Sequence, residues 1–235
     1  MSGPDLTIVV PAYNEETTAR GVVEGHAAEA RGLGCSFEIV ACDDGSTDGT
    51  WDALAATTVA VPELRVVRND RNRGIPDTMK RLYADARGEW VYFTPADGQV
   101  PAAALPIMWH VREGAALVVG RRIPRRDPTA RIVMAQVYSR ALRAVFRLPV
   151  RDIDSVKLYR VAALRAVAVR SRSTFFEAEI LITLCRRGLL VREIDIPHRP
   201  RIAGRPKGVT PLGLAAAVRD LGGFMLADFL GGRPR

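Results

Sequence analysis

Short apolar segments alternate with helix-length segments through the first half of the sequence, and this alternation restricts the possible folds more than any other feature. The predicted strands are Leu6–Ala12, Phe37–Cys42, Leu64–Arg68, Trp90–Thr94 and Ala115–Val119. The helical segments between them are Glu15–Arg31, Thr47–Thr58 (entered through Ser46 or Thr47), Pro76–Ala86 and Pro101–Val111. Such alternation is typical of βαβ units. We therefore predict an α/β fold with a mainly parallel sheet flanked by helices, and a ligand site at the carboxyl ends of its strands.

Longer helices dominate the second half of the sequence. The predicted elements are helices over Ala130–Phe146, Phe175–Arg187 and Thr210–Leu230 and a strand over Leu189–Ile196. Residues 197–209 are rich in Pro, Gly and Arg without apolar periodicity, which predicts a flexible loop. A length of 235 residues suits one domain over residues 1–209, followed by a C-terminal helix within residues 210–235.

Positive charge is concentrated in one part of the chain. The net charge is +8, but residues 111–208 hold 22 Lys and Arg against 8 Asp and Glu, whereas the remainder holds 12 against 18. A protein that coats nucleic acid would carry its charge more evenly. The basic region also lacks interleaved aromatic residues, a helix-turn-helix and a zinc-finger pattern. A basic, non-catalytic module that binds nucleic acid or another polyanion is therefore a remote alternative.

Cysteine spacing and the N-terminal residues indicate the compartment. Cys35, Cys42 and Cys185 are spaced neither as zinc ligands nor as a disulfide framework. Residues 1–6 include Asp5 and no basic segment of the kind that opens a signal peptide. No apolar run reaches the length of about 18 residues that a spanning helix needs. We expect a cytoplasmic protein.

Polar turns follow four of the predicted strands at the point where each strand ends. They are VPAYNEE at residues 10–16, DDGSTDGT at 43–50, NDRNRG at 69–74 and PADGQ at 95–99. Each alone is an ordinary turn or helix N-cap. Because the carboxyl ends of parallel strands meet at one edge, the four together predict a binding site. The first turn is not GxGxxG, which disfavours a dinucleotide site.

These four motifs together resemble those of the family 2 inverting glycosyltransferases, which have the GT-A fold. The resemblance covers roughly residues 5–210, and the second half is similar to the dolichol- and polyprenol-phosphate sugar synthases. The segments that support the second likeness are Val119–Arg122, Arg126–Pro128, Asp152–Asp154, Lys157–Arg160, Phe176–Glu179, Arg201–Gly204 and Lys207. The resemblance implies a Rossmann-like GT-A domain with a nucleotide-binding half, residues 1–119, and an acceptor-binding half, residues 120–209.

The resemblance also implies which residues hold the nucleotide-sugar donor. In the family pattern the nucleotide site is lined by residues that correspond to Pro11, Ala12, Tyr13 and Glu15, and the base or ribose is held by Asp43 or Asp44. Carboxylates at the strand ends are suited to this, since they accept hydrogen bonds from base edges and ribose hydroxyls. The alternative for Tyr13 is an ordinary half-buried aromatic residue.

A divalent metal, Mg²⁺ or Mn²⁺, is implied by the match of Asp97 and Gln99 to the end of the family's Asp-x-Asp-x-Gln motif. Oxygen ligands of this kind suit both ions. The first acidic position of the motif is Pro95, which has no ligand atom. This departure leaves four alternatives open: weaker metal binding, coordination by Asp97 alone, turnover without metal, or an inactive protein.

Basic residues of the second half are implied to meet phosphate groups. Arg122 matches the arginine of the family's Gly-x-Arg motif, and Arg131 matches one that faces the acceptor phosphate. Arg201 and Lys207 resemble residues that close over the diphosphate. Where relatives often carry a serine, this chain has Ala135, which lacks the hydroxyl donor. Solvated helix faces are the alternative for such arginines, and we expect that role for the helically spaced Arg140, Arg143 and Arg147.

The implied reaction is inverting transfer of a hexose from a GDP- or UDP-linked sugar to a polyprenyl or dolichyl phosphate. Asp97, Arg122 and Arg131 are its implied catalytic residues. A lipid phosphate is already ionised and needs no general base, which fits a chain with only three histidines. A soluble hydroxyl acceptor, such as a secondary metabolite or saccharide, is the alternative. It would need a base, for which the candidates are Asp127, Asp152 and Asp154.

A lipid acceptor raises the question of membrane contact. Residues 210–230 form a semi-apolar helix beside an arginine-rich region, a combination that suits peripheral binding to the inner, anionic face of a membrane. The same segment could instead pack on the domain or form a dimer contact.

Overall fold

One sheet of seven strands organises residues 3–201 and 211–230, the part of the chain that the structure, a computed structural model, describes. The strands are β1 (Leu6–Ala12), β2 (Phe37–Asp43), β3 (Leu64–Arg68), β4 (Trp90–Phe93), β5 (Leu117–Arg122), β6 (Lys157–Arg160) and β7 (Val191–Ile196). The helices are α1 (Ala19–Gly32), α2 (Thr50–Thr57), α3 (Ile75–Asp85), α4 (Ala104–His110), α5 (Thr129–Phe146), α6 (Val161–Arg165), α7 (Phe176–Arg186) and α8 (Pro211–Leu230).

The sheet is mainly parallel, as predicted. Its order is β3-β2-β1-β4-β6-β5-β7, and only β6 runs antiparallel, pairing with β4 on one side and β5 on the other. The other strands therefore end at the same edge of the sheet, which we call the carboxyl edge. Because β6 is reversed, its beginning at Lys157 also lies at this edge.

Alternate side chains of the strands supply two apolar layers, as expected where consecutive residues point to opposite faces. On one face, Ile8 and Val10 of β1 pack with residues of α1, α2 and α4. On the other face, Val9 of β1 and Val91 of β4 pack with residues of α3, α5, α6, α7 and α8. Both faces of the central strands are thereby buried, which leaves the carboxyl edge as the place where polar turns reach solvent.

The structure corrects several predicted boundaries. Helix α1 begins at Ala19 rather than Glu15, because residues 14–16 bond to the turn after β2. Helix α2 begins at Thr50 with Gly49 as its N-cap, so the predicted cap at Ser46 or Thr47 is wrong. Those two residues bond to Asn14 instead.

Strand β6 and helix α6 were not predicted from the sequence. The strand is only four residues long, and α6 follows it without an intervening turn. A segment of this length has too little periodicity to separate a strand from the start of a helix. The strand nevertheless joins the two halves of the sheet.

A buried ion pair connects β6 to two helices. The Nζ atom of Lys157 lies 3.1 Å from Oε2 of Glu177, in the first turn of α7. The hydroxyls of Tyr83 on α3 and Tyr159 on β6 donate to the same carboxylate at 2.7 and 2.6 Å. Since Lys157 is almost fully buried, the carboxylate is needed to compensate its charge.

Helix α8 packs on the second apolar layer through Ala217, Leu221 and Phe224. The carboxylate of Asp220 accepts hydrogen bonds from the backbone N–H groups of Arg172 and Ser173, both at 2.8 Å. The helix predicted at Thr210–Leu230 is thus present and packs against the domain. None of the helices in the described part of the chain combines the length and the apolar character needed to cross a bilayer.

Helix α1 is held against the sheet partly through a buried histidine. The ring of His26 lies 5.8 Å from the ring of Tyr92 on β4, and its Nδ1 atom is 2.8 Å from the carbonyl oxygen of Val22. Burial lowers the pKa of His26 to about 4. The folded protein therefore keeps this imidazole neutral.

Acid should destabilise the fold through His26. Below a pH of about 6.5, the ordinary pKa of a histidine side chain, the unfolded chain binds a proton that the folded chain takes up only near pH 4. Between these values the wild type should lose about 3 kcal/mol relative to His26→Leu. Urea unfolding of both proteins at neutral pH and near pH 4 measures this difference. A difference that stays constant across that range would contradict a neutral, buried His26.

Candidate active site

The turns after β1 and β2 are joined by hydrogen bonds at the carboxyl edge. Asn14, whose φ is 50°, donates its N–H to Oγ of Ser46 at 2.9 Å and accepts the N–H of Thr47 at 2.9 Å. Glu15 donates its N–H to Oγ1 of Thr50 at 2.8 Å. The first two predicted motifs therefore form one connected surface.

The carboxylate of Asp44 organises the turn after β3. It accepts hydrogen bonds from Nδ2 of Asn69 at 2.6 Å and from the backbone N–H groups of Arg73 and Gly74, both at 2.9 Å. Gly74 has a φ of 80°, a conformation that favours glycine. Asp44 is buried, so these three donors compensate its charge.

Asp43, which lies next to Asp44, is also buried and paired. Its Oδ1 accepts the N–H of Ser46 at 3.0 Å, and its Oδ2 lies 3.0 Å from Nε of Arg68. The guanidinium of Arg68 stacks over the ring of Trp51 at 5.4 Å. The two aspartates thus join the turns after β2 and β3, and the hydrogen bonds of Asn14 and Glu15 add the turn after β1.

Arg201 links the turns after β1 and β4. Its Nη1 atom donates to Oδ2 of Asp97 at 3.1 Å, and its Nη2 atom donates to Oε1 of Glu15. The other carboxylate oxygen of Asp97 accepts the N–H of Gln99 at 3.0 Å. A guanidinium from the second half of the chain therefore lies between two predicted site carboxylates of the first half.

A network of arginines and aspartates occupies the acceptor side of the edge. Arg122 makes a two-pronged pair with Asp152, from Nε and Nη2 at 2.8 Å each. Arg125 donates to Asp127 at 2.7 Å and to Asp152 at 3.4 Å. Arg131, in the first turn of α5, lies 3.6 Å from Oδ1 of Asp127.

The arginines keep both aspartates ionised. Burial raises the pKa of Asp152, but the hydrogen bonds and charge of Arg122 and the charge of Arg125 outweigh it and hold that pKa below its usual value. Burial raises the pKa of Asp127 in the same way, and Arg125 and Arg131 outweigh it. Carboxylates held in this way are weak bases, because taking up a proton would break their ion pairs.

The arginines differ in their access to solvent. The side chain of Arg122 is 8% exposed and that of Arg131 is 26% exposed. A phosphate would reach Arg131 directly, whereas it would reach Arg122 only after displacement of Asp152. Exposed Asp154 lies in the same segment and accepts a hydrogen bond from Arg122 through its carbonyl oxygen.

The remaining predicted site residues have the following positions. Pro11 and Ala12 are buried at the end of β1, and their carbonyl oxygens accept the N–H groups of Ala96 and Asp44. Tyr13 is half-buried beside them. The amide of Gln99 points to Asp127, at 3.4 Å from Oδ1, rather than to Asp97. Lys207 lies outside the described residues, as does residue range 202–209 of the predicted loop.

Pro95 limits the metal-binding capacity of this edge. It lies in the turn after β4 without a donor atom, and in residues 3–201 and 211–230 no group of three or more His, Cys, Asp and Glu side chains is placed to hold a metal ion. Asp97 is therefore the one carboxylate of the predicted motif that remains. A single carboxylate fits Mg²⁺ or Mn²⁺ where the substrate's phosphates supply further ligands.

Two site residues were not predicted from the sequence. Arg125 joins Asp127 to Asp152, and Asn69 joins Asp44 to Thr78 of α3. The density of arginine in residues 121–126 pointed to the region of Arg125, but not to its partners. Asn69 belongs to a motif that was recognised only as a turn.

Comparison with known proteins identifies the family. The model of the family described as glycosyl transferase family 2 matches residues 7–168 of this chain. The chain belongs to glycosyl transferase family 2. Among its relatives, an uncharacterized glycosyltransferase of Mycobacterium tuberculosis is 32% identical over 211 residues, which cover 88% of this chain and 91% of the relative.

A second relative of this glycosyltransferase is the undecaprenyl-phosphate 4-deoxy-4-formamido-L-arabinose transferase of Pseudomonas paraeruginosa. It is 29% identical over an alignment that covers 96% of this chain and 71% of the relative. The predicted likeness to polyprenol-phosphate sugar transferases is therefore confirmed at the level of the sequence. The predicted roles of individual site residues remain predictions.

Solved structures confirm the GT-A fold of this family 2 glycosyltransferase. Glucosyl-3-phosphoglycerate synthase of Mycobacterium tuberculosis, in complex with Mn²⁺, UDP-glucose and phosphoglyceric acid, has a TM-score of 0.69 at 21% identity, covering 94% of this chain and 80% of the other. The mannosyltransferase PcManGT of Pyrobaculum calidifontis, in complex with GDP-Man and Mn²⁺, has a TM-score of 0.61 at 19% identity, covering 87% and 59%.

Removal of the Asp44 carboxylate should destabilise the site turns. Asp44→Ala leaves three donors without their acceptor, which should cost about 3 kcal/mol of unfolding free energy. Asp70→Ala is the matched control, since Asp70 is an exposed aspartate of the turn after β3 that Asp44 organises, and it should change stability little. Urea unfolding measures both variants. Equal stability of the two variants would contradict the organising role of Asp44.

Proposed function

We propose that this glycosyltransferase moves a hexose from a GDP- or UDP-linked sugar to a polyprenyl or dolichyl phosphate, with inversion at the anomeric carbon. The observation that carries the proposal is the burial and ion pairing of the two aspartates on the acceptor side. Asp127 and Asp152 are buried against arginines and are poor general bases. A phosphate acceptor needs no base, and the same arginines favour an anion beside them.

The named relatives support both substrates of this proposal. The relative in Pseudomonas paraeruginosa is named for an undecaprenyl-phosphate acceptor, and its likeness extends over 96% of this chain. Complexes of structural neighbours contain UDP-glucose or GDP-Man. The GT-A domain over residues 1–209 would divide into a donor half, residues 1–119, and an acceptor half, residues 120–209.

The donor half would hold the nucleotide-sugar at the connected turns. In this proposal the base and ribose contact Tyr13, Glu15 and Asp43. Pro11 and Ala12 form the bottom of the nucleotide site. Asp44 fixes the turn after β3. Arg201, which lies beside Asp97, would exchange its carboxylate partners for the donor diphosphate. Lys207 would add a second cation.

Asp97 would hold Mg²⁺ or Mn²⁺ together with the diphosphate, and Gln99 would support Asp97 through its backbone N–H group. When bound, the metal neutralises charge on the leaving diphosphate. Both neighbouring complexes contain Mn²⁺, which supports a divalent ion at this edge. Pro95 leaves Asp97 as the one carboxylate of the motif that can do this.

The acceptor phosphate would bind at Arg131, while Arg122 keeps Asp152 and the segment before β6 in position. An oxygen of the acceptor phosphate forms a bond to the anomeric carbon as the bond to the donor β-phosphate oxygen breaks. The nucleoside diphosphate leaves with the electron pair, and no proton has to be removed. The enzyme would act as a peripheral protein at the cytoplasmic face of a membrane.

Donor binding should depend on metal through Asp97. We expect UDP or GDP to stabilise the wild type against heat, by about 2.7 kcal/mol at a hundredfold excess over Kd, and Mn²⁺ to increase the stabilisation. Asp97→Asn should lose the increment due to Mn²⁺, whereas Asp70→Asn should keep it. A thermal-shift panel with and without Mn²⁺ measures this. Failure of every nucleotide to stabilise the wild type would overturn the enzyme proposal.

Acceptor choice should favour the lipid phosphate. Labelled sugar should move to polyprenyl phosphate, and Arg131→Ala should lower the rate about 100-fold, the scale for loss of one donor to a charged group in the transition state. Arg20→Ala, an exposed arginine of α1, should keep the wild-type rate. Transfer to a soluble saccharide or metabolite instead would favour the alternative acceptor, with exposed Asp154 as its base.

A further inference from the structure

The exposed side of α5 is apolar, which is the reverse of an ordinary surface helix. Two of its 18 residues, Ser139 and Leu142, are buried. Val133, Met134, Val137 and Val145 are exposed, and Val137 is 60% accessible to solvent. Arg140 and Arg147 are exposed, as the helical spacing of the arginines predicts. The same helix also exposes a row of aliphatic side chains, which was not predicted.

Helix α8 continues this apolar surface. Its inner side packs through Phe224, whose ring lies 6.0 Å from the ring of Phe146 at the end of α5. Val145 and Met225, the neighbours of these two phenylalanines, are both exposed, and so is Val218 two turns earlier on α8. We call Val133, Met134, Val137, Val145, Val218 and Met225 the docking face.

The charges around the docking face are all of one sign on the α5 side. Residues 128–151 contain five arginines and no Asp or Glu. Arg140, Arg147 and Arg151 are exposed. Apolar side chains beside exposed arginines match the boundary of an anionic bilayer, where the former enter the acyl region and the latter meet lipid phosphates.

The same charges argue against a second copy of the chain as the occupant. A symmetric dimer presents the same patch from both partners. Arg140 and Arg147 would then face a second set of exposed arginines, with no acidic residue in α5 to compensate them. Like charges brought together in this way oppose association. An anionic surface satisfies the arginines and the apolar side chains together.

The docking face also leads directly to the acceptor side of the site. Helix α5 begins two residues after Asp127, and Arg131 in its first turn lies 3.6 Å from that aspartate. We infer that the docking face binds the headgroup region of an anionic bilayer, so that a membrane-borne phosphate approaches Arg131 along α5. This inference rests on the proposed lipid-phosphate acceptor and adds α5 to the predicted membrane contact of the C-terminal helix.

Vesicle flotation of the full chain tests the inference. Vesicles of phosphatidylglycerol and phosphatidylcholine in equal parts should carry the wild type, and pure phosphatidylcholine vesicles should not. Val137→Glu on α5 and Met225→Glu on α8 should each weaken binding about tenfold. Val59→Glu is the matched control, because Val59 is 88% exposed on the loop after α2, and it should bind like the wild type.

The salt dependence of vesicle binding gives a second test of the same contact. Raising the ionic strength from ~0.1 M to ~1 M shortens the screening length from about 10 Å to about 3 Å and should release part of the bound protein. All three glutamate variants change exposed positions, so circular dichroism should show the wild-type fold in each.

Three results would overturn the inference. They are a wild type that floats with neither kind of vesicle, a Val137→Glu variant that floats as well as the wild type, and a wild-type dimer that Val137→Glu converts to a monomer. Nucleotide binding, measured on the same samples, separates this inference from the proposed function. A wild type that binds nucleotide but does not float with vesicles rejects the docking face alone. A wild type that binds no nucleotide rejects the enzyme proposal.

Discussion

Buried carboxylates at the carboxyl edge of the sheet must each be given donors, and the loops of the site are arranged by that requirement. Asp44 gathers the turn after β3 around itself, and Asp43 holds Arg68. Asp127 and Asp152 are held by arginines of the segment that follows β5. An ionised carboxylate that is removed from water without such partners costs several kcal/mol. The positions of the loops at the candidate site are therefore consequences of charge compensation as much as of apolar packing.

The uneven charge of the chain acquires a structural meaning at this edge. Arg201 crosses from the basic half to the carboxylates Glu15 and Asp97 of the acidic half. Arg122 and Arg125 are used within the basic half, where they compensate its own aspartates. Other arginines of the basic half are exposed, among them Arg140, Arg147 and Arg151 on and just after α5. The two halves thus differ in what they offer to a ligand: paired carboxylates on one side, and partly exposed guanidinium groups on the other.

The sheet was predictable because its central parallel strands are largely apolar runs followed by polar turns, as at Leu6–Ala12, where predicted and observed bounds agree. The family was predictable because its motifs lie within those turns. The pairing of Arg122 with Asp152 was not predictable, because the two residues are 30 positions apart in sequence and the reversed strand β6 brings them together. The exposed apolar face of α5 was also not predicted from the sequence, because the arginines of this helix recur at helical spacing and indicated a solvated surface. Long-range pairing and burial are properties of the assembled layers, which local patterns do not contain.

The reversed direction of β6 has a consequence for how such a chain can diversify. A parallel strand contributes to the site by the loop that leaves it, whereas β6 contributes by the loop that enters it, residues 147–156. That loop therefore lies between α5 and the sheet and belongs to no βαβ crossover. Insertions or replacements in this loop would change the surroundings of Asp152 and Asp154, while all parallel strand pairs kept their register. One loop can therefore vary in sequence and length on an unchanged scaffold.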